Sequence, residues 1–314
     1  MARKPKTSNN NLLFLSALTL IMASTTSLAM YKHSEKPKPI YITDKKVNLI
    51  PNIAPLPVLA AETDSTQPVF SAVSVIAVDV DSGVTLYEKN PDEVLFPAST
   101  TKIVTALVAL EVYRLTDIVT VDNPPVDGQK MGLVNGEQIT VENLLKGMLI
   151  YSANDAAEAL ARNYPDGYQA FIDKMNEKAQ ELSMTHSHFM NSNGLENWQH
   201  VSTARDMARA GAAAMNNPLF SEIVGTKKTT VTSVDGTYVH KLANVNKLIG
   251  TVDGVIGVKT GYTEHAKENL ITYVERNGKR VVISLLGSDD RFGETTTLID
   301  WVYGNYKWEE VNLP

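Results

Sequence analysis

The sequence predicts an α/β sandwich: an antiparallel sheet formed from both ends of the chain, flanked by helices, with a mainly helical region inserted between its strands. Three observations carry this. Val73 to Val80 alternates and is followed by Asp81-Ser82-Gly83 and Val84 to Tyr87, which reads as a first hairpin. From Thr100 to about Met215 helical patterns dominate. Strands return near Gly254, and Asn269 to Glu275 and Lys279 to Leu286 flank Asn277-Gly278, the dipeptide that favours a two-residue type I′ turn.

Taken in order, the chain opens with Arg3, Lys4 and Lys6, an apolar run from Leu12 to Ala23, and small residues at Ser27 and Ala29. Residues 1–29 therefore read as a secretory signal peptide, or, if the run extends uncleaved to Met30, as an N-terminal membrane anchor. Residues 30–68 hold Pro37, Pro39, Pro51, Pro55, Pro57 and Pro68 with little periodic apolar pattern, the composition of a linker. At roughly 3 Å per residue it could hold a domain up to about 100 Å from a membrane. The remainder, 69–314, is long enough for one substantial domain with a full core. Cysteine is absent, which removes disulfides and a thiol nucleophile from the argument. A net charge of −6 argues against a nucleic-acid partner.

Within the domain, Thr100 to Leu115 is apolar nearly all round, the pattern of a helix buried in the middle of a domain, and Pro97 helps to mark its start. Ser99 then sits at the helix N-terminus, where unpaired N–H groups stabilise developing negative charge, with Lys102 three residues on and on the same face. Lowering a lysine pKa from about 10.4 to near 7 takes roughly 4 to 5 kcal/mol, and burial of this helix could supply much of it. A second helix, Val141 to Ile150, is capped by Thr140 and followed by a break at Ser152-Ala153-Asn154 before Asp155 to Asn163. The break can aim a hydroxyl and an amide into a cleft, although Ser and Asn before a helix also serve as plain caps. Lys259-Thr260-Gly261 reads as the strand preceding the second hairpin. There Lys259 offers a positive charge, Thr260 a hydroxyl, and Gly261 a place for close approach of a substrate backbone. A last helix is predicted from Phe292 to Tyr306.

These three signatures, in this order, resemble those of penicillin-binding proteins and class A β-lactamases. The longer runs Phe96-Pro97-Ala98-Ser99-Thr100-Thr101-Lys102, Tyr151 to Ala157, Asn193-Gly194-Leu195, His200 to Asp206 and Gly257 to Thr263 resemble the low-molecular-mass D-alanyl-D-alanine carboxypeptidases, from about Val69 to about Tyr306. The resemblance implies a β-lactamase/transpeptidase-like fold and a serine-type carboxypeptidase that removes the terminal D-alanine from peptidoglycan stem peptides. It implies Ser99 as nucleophile, Lys102 as general base, and Ser152 and Asn154 as proton relay and positioning groups. Lys259 and Thr260 meet the terminal carboxylate, and the N–H groups of Ser99 and Tyr262 form an oxyanion hole. Its partners would be the stem peptide and β-lactams as covalent inhibitors, with no cofactor and no metal, on the outer side of the cytoplasmic membrane. A β-lactamase, an endopeptidase of the same fold and a non-turnover penicillin-binding sensor are the alternatives.

Two departures from the family pattern stand out. Lys267 follows Ala266 where the family usually has glycine, which sets a bulky charge where a close backbone approach is normal and bears on the local strand geometry. The chain also ends at Pro314, soon after the last predicted helix, so the extra β-domain and amphipathic helix of longer members are not expected. His186, His188 and His200 with Ser187 lack the spacing of a metal site. Glu196 is the nearest candidate for a β-lactamase carboxylate base, but Asn197-Trp198-Gln199 does not match the Glu-x-x-Leu-Asn loop, and a solvated loop residue is the favoured reading.

Overall fold

The computed structural model describes residues 54–60, 66–122 and 126–310. The expected signal or anchor over 1–29 and most of the expected linker lie outside them. The first strand, β1 (Leu56–Leu59), is followed by the hairpin β2 (Ser74–Asp79) and β3 (Thr85–Lys89). A 3-10 turn, Ala98–Thr101, then leads into α1 (Lys102–Val112). Next come β4 (Ile118–Thr120), β5 (Gln138–Thr140), α2 (Val141–Ile150), α3 (Asn154–Arg162), α4 (Gly167–Glu181), α5 (Ala204–Met215) and α6 (Pro218–Gly225). The hairpin β6 (Lys228–Thr232) and β7 (Val239–Ala243) precedes β8 (Val255–Thr263), β9 (Lys267–Arg276) and β10 (Lys279–Ser288), and α7 (Arg291–Asn305) and β11 (Tyr306–Glu309) close the chain.

The main sheet has the order β3-β2-β10-β9-β8 and is antiparallel at every pairing, so the two chain ends do build it together. Side chains alternate between two buried faces. Val75, Ala77, Leu270, Val274, Val281 and Ile283 pack with Leu298, Ile299 and Val302 of α7 on one side. Ile76, Ile271, Tyr273 and Val282 face the helical region through Met207, Ala208 and Ala210 of α5. Asn277 and Gly278 have φ of 53° and 71°, as the type I′ turn requires.

Several elements differ from the sequence reading. The helix expected over Thr100 to Leu115 begins at Lys102 and stops at Val112, because Asp117 accepts from the Arg114 backbone N–H at 2.9 Å and Nε at 2.8 Å and closes a turn there. The short pairs β4/β5 and β6/β7 fall where helices or no strands were expected. Three to five residues with one face exposed give too little alternation to stand out. For β6/β7 the Asp235-Gly236 dipeptide between β-branched runs was the available signal.

Within the expected linker, Leu56–Leu59 pairs with Tyr306–Glu309. Pro57 is tolerated there because a two-stranded ribbon leaves one side of each strand without a ladder to complete. The ribbon is pinned to the sheet by Trp308 Nε1 donating to Asp79 at 2.8 Å and Tyr306 donating to the Leu86 carbonyl at 2.7 Å.

Lys267 sits at the end of the β8–β9 turn with φ 54°, a left-handed conformation in which glycine carries no steric penalty. The register of β8 on β9 runs unbroken from Gly257 to Thr263, and the lysine side chain points outward to Asp289 at 3.0 Å. Backbone conformation, not close approach, is thus what the departure disturbs. Lys267→Gly should stabilise the domain by about 0.5 to 1 kcal/mol, since the relieved strain exceeds the loss of an exposed ion pair. Thermal unfolding checks this, and a lowered Tm would refute it.

Candidate active site

The nucleophile candidate is held on a strained turn. Ala98 has φ 48° and is buried, and Thr100 donates to the Pro97 carbonyl through N–H at 3.2 Å and through Oγ1 at 2.6 Å. From beneath, Thr101 Oγ1 meets His200 Nε2 at 2.8 Å. Ser99 therefore lies in the 3-10 turn just ahead of α1 rather than at the first residue of a regular helix. Two glycines make room for this turn. A side chain on Gly194, where φ is 86°, would meet the Ala98 carbonyl oxygen at 2.0 Å, and one on Gly261 would come within 3.0 to 3.2 Å of Pro97 O, Ala98 Cβ and Ser99 N. Gly261 is thus demanded first by the nucleophile turn itself.

Lys102 leaves the same turn and is fully buried. Its Nζ lies 2.8 Å from Ser99 Oγ and 2.6 Å from both Asn154 Oδ1 and the Asn193 carbonyl. Burial, and then the charge of Lys259, push its pKa well below the ordinary lysine value, while Asp155 opposes the shift. A neutral amine has two N–H donors and one lone pair. In that form, with Asn154 and Asn193 taking the donors, the lone pair would be free to face the Ser99 hydroxyl proton.

The break after α2 is real, with the following helix beginning at Asn154. Ser152 takes φ 63° and accepts from Lys259 Nζ at 2.8 Å. Asn154 works on two sides: Oδ1 accepts from Lys102, and Nδ2 donates to the Asp127 carbonyl at 2.7 Å. Next to it, Asp155 accepts from the N–H groups of Met131, Gly132 and Leu133 at 2.9 to 3.0 Å. The start of α3 thereby clamps the segment that forms one wall of the cleft.

On the opposite wall, edge strand β8 carries Lys259 and Thr260. Lys259 is buried, donates to Ser152 and to the Thr260 carbonyl at 2.9 Å, and has its pKa lowered to about 7 by burial and by the charge of Arg291. The fixed positive charge expected here is therefore one that depends on pH. Arg291, at the start of α7, was not foreseen. It donates to the Gly261 carbonyl at 2.8 Å and lines the cleft, and the sequence around it signals only a helix start.

These elements enclose a cleft of about 310 Å³. Ser99, Ser152, Asn154, Thr260, Gly261 and Tyr262 line it, and Lys102 and Lys259 lie beneath, bonded to Ser99 and Ser152. All eight predicted site residues are thus brought together. The Asn193 carbonyl and Arg291 were missed. Glu196 stands outside the cleft lining, and hydrogen bonds from Thr263 and then His265 hold its carboxyl below the usual range. The three histidines go to separate partners: His186 to Thr185, His188 to the Gln199 carbonyl, and His200 to Thr101.

The D-alanyl-D-alanine carboxypeptidase family, peptidase S11, matches residues 61–290. The carboxypeptidase DacF of Bacillus subtilis is 33% identical over 247 residues, covering 75% of this chain and 63% of that protein, so the chain spans less than two thirds of that relative. A D-alanyl-D-alanine carboxypeptidase of Streptomyces is 35% identical over 72% of this chain and 84% of its own length. The D-alanyl-D-alanine endopeptidase of Escherichia coli is 32% identical over 77% and 81%. The crystal structure of the Streptomyces K15 DD-transpeptidase aligns with a TM-score of 0.71 at 32% identity, covering 76% of this chain and 99% of that one.

Burial of Lys259 predicts a pH-dependent stability. Between pH 7 and about 10.4 the unfolded chain binds a proton that the folded chain does not, so stability relative to Lys259→Met should rise with pH, by up to about 1.4 kcal/mol per unit. Below pH 7 both states are protonated and the gap should be flat. Urea unfolding at pH 6, 7.5 and 9 measures it, and a pH-independent gap across all three would refute the buried, neutralised lysine.

Proposed function

The chain belongs to the D-alanyl-D-alanine carboxypeptidase family of serine peptidases, and from that premise we propose that it removes the terminal D-alanine of peptidoglycan stem peptides through an acyl-enzyme on Ser99. It is a hydrolase of the penicillin-binding class. The observation that carries the reading is the buried Lys102 amine 2.8 Å from Ser99 Oγ, with its two other contacts fully used as acceptors of its N–H groups.

In this mechanism the Lys102 lone pair takes the Ser99 proton as Oγ attacks the penultimate D-alanine carbonyl. The N–H groups of Ser99 and Tyr262 receive the oxyanion, a pairing supported by the close approach of Ser99 N to Gly261. Ser152, held by Lys259, gives its proton to the departing amine and takes in return the proton that Lys102 removed from Ser99, which leaves Lys102 neutral for the deacylation step. Thr260, Lys259 and Arg291 hold the terminal carboxylate, whose negative charge raises the Lys259 pKa and draws a proton onto it. Water then cleaves the acyl-enzyme. Glu196 is engaged by Thr263 and His265 and lies outside the cleft, which disfavours a β-lactamase that deacylates quickly through a loop carboxylate. The endopeptidase reading is kept because a relative bearing that name is 32% identical.

Enzymes that act on peptidoglycan work outside the cytoplasm, and residues 1–29 suit export as a signal or an anchor, with 30–68 a tether and 69–314 the catalytic domain. Among the described residues no helix is long and apolar enough to cross a membrane.

The rate of D-alanine release should be bell-shaped in pH. It rises as Lys102 loses its proton and falls as Lys259 loses the proton that the carboxylate needs. Lys102→Arg keeps charge but cannot deprotonate near neutrality, and should lower penicillin acylation by orders of magnitude with the circular-dichroism spectrum intact. Near-normal acylation would remove Lys102 as base. Intact mass should rise by one penicillin per chain, and Ser99→Ala should not label.

The class of activity is decided by assaying free D-alanine and penicillin hydrolysis on one preparation, with a D-Ala-D-Ala pentapeptide and a cross-linked dimer peptide. Release of D-alanine from the pentapeptide with long-lived penicilloyl enzyme is expected. Rapid penicillin hydrolysis without D-alanine release would make it a β-lactamase, cleavage confined to the dimer an endopeptidase, and stable labelling without peptide turnover a sensor.

A further inference from the structure

Strand β8 fixes the direction in which a bound chain runs. Lys259 and Thr260 lie to one end of Gly261, whose carbonyl accepts from Arg291 at 2.8 Å, Ser99 faces Gly261, and the strand continues through Tyr262 to Thr263 and the turn at His265 and Ala266. A substrate with its carboxylate at the first end and its reacting carbonyl at Ser99 has the rest of its mass beyond Tyr262. A stem pentapeptide carries its sugar three residues before the reacting one, about 10 Å at roughly 3.3 Å per residue, a reach that passes Thr263 and ends at the turn.

What stands there is aromatic. Trp198 is 80% exposed, while Phe96 and His265 pack edge-on against it with centroids 5.5 and 6.1 Å away. Two hollows of about 230 and 240 Å³ share Phe96, Trp198 and His265. The second is walled by Val73, Val94 and Leu95, of which Val73 and Val94 are themselves exposed. A lone exposed tryptophan is ordinary, but an aromatic ring set among exposed aliphatics and open hollows is the form of a binding surface.

The patch is continuous with the cleft. Leu195 and Thr263 line the cleft, while Glu196, next to Leu195, and His265, two residues after Thr263, line the first hollow. It is also preformed: Asn197 accepts from the N–H groups of Gln199 and His200 at 2.8 Å, and buried His200 is bonded to Thr101 under the nucleophile. Its polar side chains engage each other, Glu196 accepting from the His265 backbone N–H at 3.0 Å and lying 2.6 Å from its Nδ1, and Lys267 pairing with Asp289. It therefore offers little to a charged peptide side chain and suits a neutral ring with one apolar face and a polar edge.

We infer that this patch is a subsite for the glycan of the substrate. A neutral N-acetylated pyranose stacks its C–H face on Trp198 and sets its acetamido methyl in the hollow of Val73, Val94, Leu95 and Phe96. The assignment rests on the reading of the cleft as a peptidoglycan peptidase site.

The test compares kcat and KM for D-alanine release from a disaccharide-linked pentapeptide and from the sugar-free pentapeptide, in the native enzyme, Trp198→Ala and Trp198→Phe. Separately, N,N′-diacetylchitobiose is titrated while the Trp198 indole resonance is followed by NMR. The native KM should be about 2- to 10-fold lower for the glycan-bearing peptide. Trp198→Ala should erase that difference by raising only this KM, Trp198→Phe should retain part of it, and Ser99 should still label with penicillin. Equal native KM values, equal losses on both peptides, or an indole resonance unmoved by the disaccharide would overturn the subsite. If neither peptide releases D-alanine, the peptidase reading fails, and the disaccharide titration still decides the subsite.

Discussion

Two lysines kept out of water are the constraint around which the cleft is arranged. An ammonium without solvent must find oxygen acceptors or lose its proton, and Lys102 and Lys259 face both pressures. Lys102 has three oxygen neighbours, from Ser99, Asn154 and Asn193, and Lys259 has two, from Ser152 and Thr260. Those five residues come from the nucleophile turn, the α2–α3 break, the loop before α5 and strand β8. Each segment supplies part of a hydrogen-bond shell that none could complete alone. The charge of one lysine also lowers the pKa of Lys102, and Arg291 does the same for Lys259, so the proton affinities are set jointly.

Holding these segments in register costs backbone strain. Ala98 and Ser152 occupy the left-handed region without being glycine, at about 1 to 2 kcal/mol each. Such conformations persist only where the surroundings over-determine them. Here the surroundings are Gly194 and Gly261 on either side of Ala98, and the buried cores on the two faces of the sheet. Substituting either glycine would displace the turn that aims Ser99, which links a packing requirement directly to the chemistry.

The architecture explains why the cleft lies where it does. An edge strand has one unpaired side, and β8 is the edge that faces the helical region. That open side can receive an extended chain by backbone pairing, while β9 and β10 behind it are buried on both faces and keep it from moving. At the other edge, the β1–β11 ribbon and Trp308 fasten the chain ends to the sheet.

Much of this was legible in the sequence wherever the signal is local. The alternation of β2 and β3, the Asn277-Gly278 turn, the cap at Thr140 and the three ordered signatures each depend on residues a few positions apart, and period and turn chemistry report such neighbours directly. The short ribbons β4/β5 and β1/β11 were not legible, because strands of three or four half-exposed residues are stabilised by partners far away in the chain. Arg291 and the Asn193 carbonyl escaped for the same reason, lying 192 and 94 residues beyond Ser99, and a carbonyl has no residue type to announce it. The sequence by itself named the candidate site side chains and their order along the chain. Tertiary structure alone decided the proton affinities of Lys102 and Lys259, since their burial and the nearness of Lys259 to Lys102 and of Arg291 to Lys259 are set by packing between distant segments, and it is that packing which lowers a lysine's pKa.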